Sequence, residues 1–199
     1  CAAFICRKYG ELTGTIASSL ETVYDFVAHR FENKKFAAAP QFEACNSARD
    51  GSVFNISAVN GNGEVSRIDI KTGDLVAGDN YPASAELHRA IYKKRKDVNY
   101  IVHNQIPEVM AVSKTTKVMK PLLDDLAQLV GVTVKNAVFD PNSTLKSSKK
   151  VVRALKGRNG VLLANNGALC VAGSEYDATA VEMVMEKGCK AEVGKKLFG

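Results

Sequence analysis

No run of eighteen apolar residues occurs in the 199-residue chain, so no segment is expected to span a membrane. The apolar start at residues 1–6 gives way to Arg7 and Lys8 too soon to be expected to act as a signal peptide. No Cys-x-x-C pair is present, which removes the usual cysteine metal and dithiol redox sites. The five cysteines are odd in number and widely spaced, and Cys170 sits between Leu169 and Val171 as a small core residue would. That usage suits a reducing, intracellular compartment, most simply the cytoplasm. Internal repeats, low-complexity stretches and linkers are also missing, so residues 1–199 are expected to form a single domain. The net charge of +6 comes from short clusters at 93–96, 149–150 and 195–196. They lack the interleaved aromatics of single-strand binders, so they read as solvated helix faces, with neither nucleic acid nor membrane expected as partner.

What is present is an ordinary globular composition, 46% hydrophobic and 24% charged. Ile16, Leu20, Val23, Tyr24, Val27 and Phe31 make a helical stripe over 16–31. Residues 45–51, CNSARDG, are rich in turn formers. Two β-prone runs, 52–59 and 65–70, flank NGNGE and predict a hairpin. Helices are expected from Ala83, over 107–113, over 118–130 up to Gly131, over 146–155 and over 176–197, with strands at 100–102, 132–138, 161–164 and 168–171. Strands in the middle with helices at both ends predict a three-layer αβα domain of the α/β (α+β) class.

The most informative stretch is 83–107, in which Glu86 falls on the first turn of a helix and His103 ends a short apolar strand. A glutamate and a strand-end histidine brought face to face are how metal sites are often built. Plainer readings exist. An acidic residue beside Ser84 in a first helical turn complements the helix dipole and resembles a cap. A lone histidine after an apolar strand is more often structural. His88, two residues from Glu86, should look away from it and is a poor replacement ligand.

The stretches ASAELHRAIYKKRKDVNYIVHN and GVLLANNGALCVAG, in that order and spacing, resemble the class II aldolase/adducin family. The resemblance runs over about 45–197 and is weak over the helical segment 1–40. It implies a three-layer α/β domain with a central mixed sheet that assembles as a homotetramer. It also implies a divalent metal held by an acidic residue in a PSSE turn, both histidines of a strand-end H-x-H and the histidine of an HG turn. Here Glu86 matches the acid and His103 the first histidine, while Gln105 and Asn166 stand in the other two places. Amide oxygens are weak donors to zinc. Residues 45–51 loosely resemble the family's GNxS anion-binding turn, with Asn46 and Ser47 in or near the matching places and Cys45 where glycine is usual. Ser84 is kept from PSSE.

These features lead to the expectation of a family member that lacks metal-dependent aldolase activity, needs no cofactor and serves as a binding or structural component. Residual binding of a sugar phosphate would use Asn46, Ser47 and Ser84. Partners would be further copies of the chain, as a tetramer, or another protein. The alternative is an aldolase or epimerase with altered ligands, zinc or another divalent cation, and Glu86 moving the proton. A basic nucleic-acid-associated protein is the second alternative.

Overall fold

The computed structural model describes residues 42–198. The helix expected over 16–31 lies outside them. The strands are β1 (Cys45–Asp50), β2 (Val53–Ala58), β3 (Val65–Asp69), β4 (Leu75–Ala77), β5 (Tyr100–Asn104), β6 (Val118–Met119), β7 (Val134–Ala137), β8 (Gly160–Leu163) and β9 (Ala168–Ala172). Among the described residues four α-helices accompany them: α1 (Ala85–Lys94), α2 (Pro107–Thr115), α3 (Thr144–Ala154) and α4 (Glu175–Phe198). The sheet order is β4-β3-β2-β1-β5-β9-β8-β7-β6. Only the β7–β8 pair, joined through α3, is parallel, so the sheet is mixed.

Period-two alternation divides the core. Along β8 and β9 every side chain is buried. Val161, Leu163, Leu169 and Val171 face one way, onto Leu87, Ile91 and Tyr92 of α1 and Val151 and Leu155 at α3. Leu162, Ala168 and Cys170 face the other way, onto Val109 and Val112 of α2 and Val181, Met185 and Cys189 of α4. Each such side chain contributes about 1.5–3 kcal/mol by leaving water, which is what holds the three layers together. No helix among the described residues is long and apolar enough to cross a membrane.

Two expectations are corrected. Residues 45–50 form strand β1, because pairing with β2 on one side and β5 on the other overrides local turn preference. The turn is confined to Gly51 and Ser52, with Gly51 at φ 61°. The helix expected over 118–130 is broken as well. Pro121 cannot extend a helix beginning at 118, β6 occupies Val118–Met119, and a π-helical turn covers Leu126–Val130. Leu122, expected on the buried side, is 44% exposed.

Candidate functional site

The β1 and β5 strands part after the Ser47–Ile101 pair. Beyond it, the His103 amide donates to the side-chain oxygen of Asn46 at 2.9 Å. His103 therefore stands at the end of β5 where the ladder opens, beside the β8–β9 turn that carries Asn166. Its Nε2 donates to the main-chain oxygen of Asn166 at 2.6 Å. That short contact assigns the Nε2–H tautomer and leaves Nδ1 as an acceptor, buried and without a partner. The turn is tight, with Asn165 at φ 59° and Gly167 at φ 83°.

Gln105 and Asn166 do come together, but around a peptide group. The Asn166 side-chain oxygen accepts from the Phe42 amide at 3.3 Å, and Gln105 Nε2 donates to the Phe42 carbonyl at 2.9 Å. Two side-chain amides thus clamp both polar groups of one backbone residue. The Phe42 ring then packs against His103 at 5.7 Å and edge-on against Phe139 at 5.2 Å. Phe42 is a plug laid over the place where His103, Gln105 and Asn166 meet.

Glu86 is not at this place, contrary to the sequence expectation. Arg89 grips both its oxygens, at 2.9 and 2.7 Å, and Tyr81 donates to Oε1 at 2.7 Å. The carboxylate lies beside the β3–β4 turn at Gly73. Burial pushes its carboxyl up, but Arg89 and Tyr81 outweigh that and hold it below its ordinary value. The helix residues turned inward are Ser84 and His88 instead. Ser84 starts α1, is 1% exposed, faces the Cys45 thiol and leaves its Oγ without a hydrogen bond. Of the two, Ser84 is the one turned toward the Cys45 thiol, while Glu86 is turned to Arg89 and Tyr81.

His88 does look away from Glu86, into the sheet. Ser47 Oγ lies 2.7 Å from His88 Nδ1 and 2.8 Å from the Tyr92 hydroxyl. Sequence reasoning placed Ser47 on a ligand and missed this buried Ser47–His88–Tyr92 chain. The spacing of His88 and Tyr92, four apart on one helix face, was its available signal. Burial pushes His88 down to about 3, with His103 adding to the shift, and burial takes His103 down to about 4 against its bond to Asn166. Both imidazoles are neutral at physiological pH. Phe42 carried no signal of its own, since nothing in a lone phenylalanine before a strand marks it as a plug.

The donor set does not fit a catalytic divalent ion. Among the described residues no three His, Cys, Asp or Glu side chains are grouped to hold one. Both amide side chains are engaged by Phe42, and the one imidazole of the set donates its Nε2 proton to a carbonyl. Next to the plug lies a cleft of about 500 Å³ bounded by Phe42, Cys45, Tyr81, Pro82, Glu43 and Glu64, with no Lys or Arg among the described residues that line it. Among the described residues, a phosphate there would meet carboxylates and no cation.

Residues 56–193 match the Class II Aldolase and Adducin N-terminal domain. The chain belongs to this family. The fold agrees with it. A solved L-fuculose 1-phosphate aldolase superposes with a TM-score of 0.71 at 20% identity, covering 88% of this chain and 86% of that one. The corresponding enzyme of Thermus thermophilus gives 0.66 at 17% identity, covering 89% and 94%. A sugar-phosphate aldolase from Thermotoga maritima gives 0.61 at 14% identity, covering 92% and 97%. Among curated proteins, 5-deoxy-D-ribulose 1-phosphate aldolase of Bacillus thuringiensis serovar kurstaki is 26% identical over 103 residues. That match spans 51% of this chain and 48% of the relative. At these identities the solved structures speak for the fold.

Proposed function

We propose that this chain is a non-catalytic member of the class II aldolase/adducin family, working as a binding or structural component without a resident metal. The observation that carries the reading is the clamp on Phe42. Gln105 and Asn166 are placed to satisfy a peptide group, and a phenyl ring covers the histidine a metal would need. Glu86, ion-paired to Arg89 and held below its ordinary pKa, is a poor proton shuttle at neutral pH. Asn46 and Ser47, bonded within the fold, leave Ser84 as the free hydroxyl of the expected anion site. The lining of the adjacent cleft favours an uncharged polar molecule over a phosphorylated one.

The names of the relatives support a second reading, a sugar-phosphate aldolase or epimerase using altered ligands. One experiment separates the two. The purified protein is assayed with L-fuculose 1-phosphate and 5-deoxy-D-ribulose 1-phosphate, with and without added zinc, alongside elemental analysis. The first reading expects no cleavage and no stoichiometric zinc; turnover together with one zinc per chain overturns it. Self-association belongs to the same proposal. Val132 and Val138 at the β6–β7 edge are 75% and 55% exposed, and burying them between copies of the chain would remove apolar surface from water. Sedimentation is expected to show a species larger than 21.4 kDa.

A further inference from the structure

The fold gathers cations that the sequence scatters. Helices α1 and α3 pack side by side on one face of the sheet, through Leu87 and Ile91 against Val151 and Leu155. Their C-terminal ends coincide, because Arg95 donates from Nη1 to the main-chain oxygens of Leu155 at 3.3 Å and Arg158 at 2.8 Å. The outward side of this layer carries Lys93, Lys94 and Lys96 from the end of α1. Along α3 it carries Lys146, Lys149, Lys150 and Arg153, all exposed. None of these seven forms a salt bridge with another described residue. Residues 85–97 and 144–158 together hold eleven cations against two carboxylates, Glu86 and Asp97, each bonded to an arginine of its own segment. That excess of nine is larger than the +6 of the whole chain, so the remainder is net acidic.

Helix stability does not account for the arrangement. Cations at a helix C-terminus offset its dipole, which covers Lys93, Lys94 and Arg153. Lys146, however, lies in the first turn of α3, where a cation is unfavourable and no acidic residue is present. Lys146, Lys149, Lys150 and Arg153 also repel one another at i,i+3 and i,i+4 spacing. On the opposite face three of the four cations of α4 are paired, Lys187 with Asp125, Lys190 with Glu186 and Lys196 with Glu192. Among the described residues the unpaired cations are concentrated on the α1/α3 face.

We propose that the α1/α3 face docks on an anionic lipid bilayer surface. Charge complementarity requires a polyanion, and three features select a bilayer. Both helices lie flat on the sheet, so neither projects as a reading helix must to enter a major groove. Six of the seven cations are lysines, whose hydrated point charges suit a diffuse anionic surface and lack the planar fork of arginine. Leu145, on the first turn of α3 beside Lys146, is 70% exposed and positioned to enter the interfacial region.

The test is sedimentation of the purified chain with vesicles of phosphatidylglycerol mixed with phosphatidylcholine, and with phosphatidylcholine alone. Binding is expected to the first and not the second, and to weaken steeply with salt. Lys146→Glu with Lys149→Glu and Lys150→Glu should lower binding by about 100-fold or more, since each lysine near the surface contributes about fivefold. The acidic first turn of the variant favours its helix, so a circular dichroism melt is expected to show it folded. Leu145→Ser should weaken vesicle binding further and leave retention on duplex DNA unchanged. Failure to bind the anionic vesicles, equal binding to neutral ones, or unchanged binding by the triple variant each overturns the proposal. Tighter retention on duplex DNA than on vesicles overturns it as well, and gives the face to nucleic acid.

Discussion

His103 and Asn166 are locked together through 2.6 Å between the imidazole Nε2 and the main-chain oxygen of the turn residue. This bond ties the end of β5 to the β8–β9 turn. The same turn residue reaches Phe42 with its side chain, so imidazole, turn and plug form one unit.

The plug is expected to matter for stability and access. Phe42 is 8% exposed, and Phe42→Ala should cost about 3–5 kcal/mol, the usual range for a buried phenylalanine. Phe42→Leu should cost less. Site-resolved mass spectrometry after diethylpyrocarbonate treatment should find His103 slow to react in the parent and faster in Phe42→Ala. Equal reactivity would mean that the ring does not shield the imidazole.

Rebuilding the metal site requires the acid at the right place. Gln105→His with Asn166→His removes the two bonds to Phe42, each contributing about 0.5–1.5 kcal/mol, and should lower the melting temperature. Adding Ser84→Glu supplies the carboxylate that Glu86 does not, so the triple variant should take up zinc and recover melting temperature on its addition. If Glu86 were the operative acid, the double variant would bind zinc as tightly as the triple, and calorimetry decides between them.

The layers were legible because β8, β9, α1 and α3 carry strong periodic signals, and the structure brings His103, Gln105 and Asn166 to one junction around Phe42. Two placements were settled by pairings that local propensity did not decide, one across the sheet and one along the helix. CNSARD becomes a strand because β2 and β5 flank it, and Glu86 turns outward because Arg89 and Tyr81 are there to hold it. Ser84 and Glu86, two residues apart at the start of one helix, therefore meet different surroundings. The basic face was hidden for a similar reason, since its two halves are fifty residues apart in sequence and adjacent only through packing.

Acid should destabilise the fold through the two histidines. Both have native values depressed below the ordinary histidine range, to about 3 for His88 and about 4 for His103, so the native state keeps them neutral while the unfolded chain protonates them. Their contribution is therefore complete above about pH 6.5 and is lost as pH falls toward 4 and then 3. Each adds a slope of up to about 1.4 kcal/mol per pH unit in that window. Urea midpoints measured from pH 7 to pH 4 should fall, and less so in His88→Gln once compared with its own value at pH 7. A midpoint flat from pH 7 to pH 5 would show the imidazoles to be solvated.

Gly167 is the backbone position on which the whole junction turns. It has φ 83°, and a Cβ there would run into the main-chain carbonyl of Asn104, a group the strand cannot move. Gly167→Ala therefore meets a left-handed penalty of about 1–2 kcal/mol and, in addition, a backbone clash. It should be the most damaging single alanine at the site, displacing Asn166 from His103 and releasing Phe42. Gly157, also left-handed at φ 68° but with open space around its missing Cβ, is the control. Gly157→Ala should cost the conformational penalty alone, so a thermal melt showing equal losses for the two variants would mean that the β5 end and the β8–β9 turn are not in contact as described.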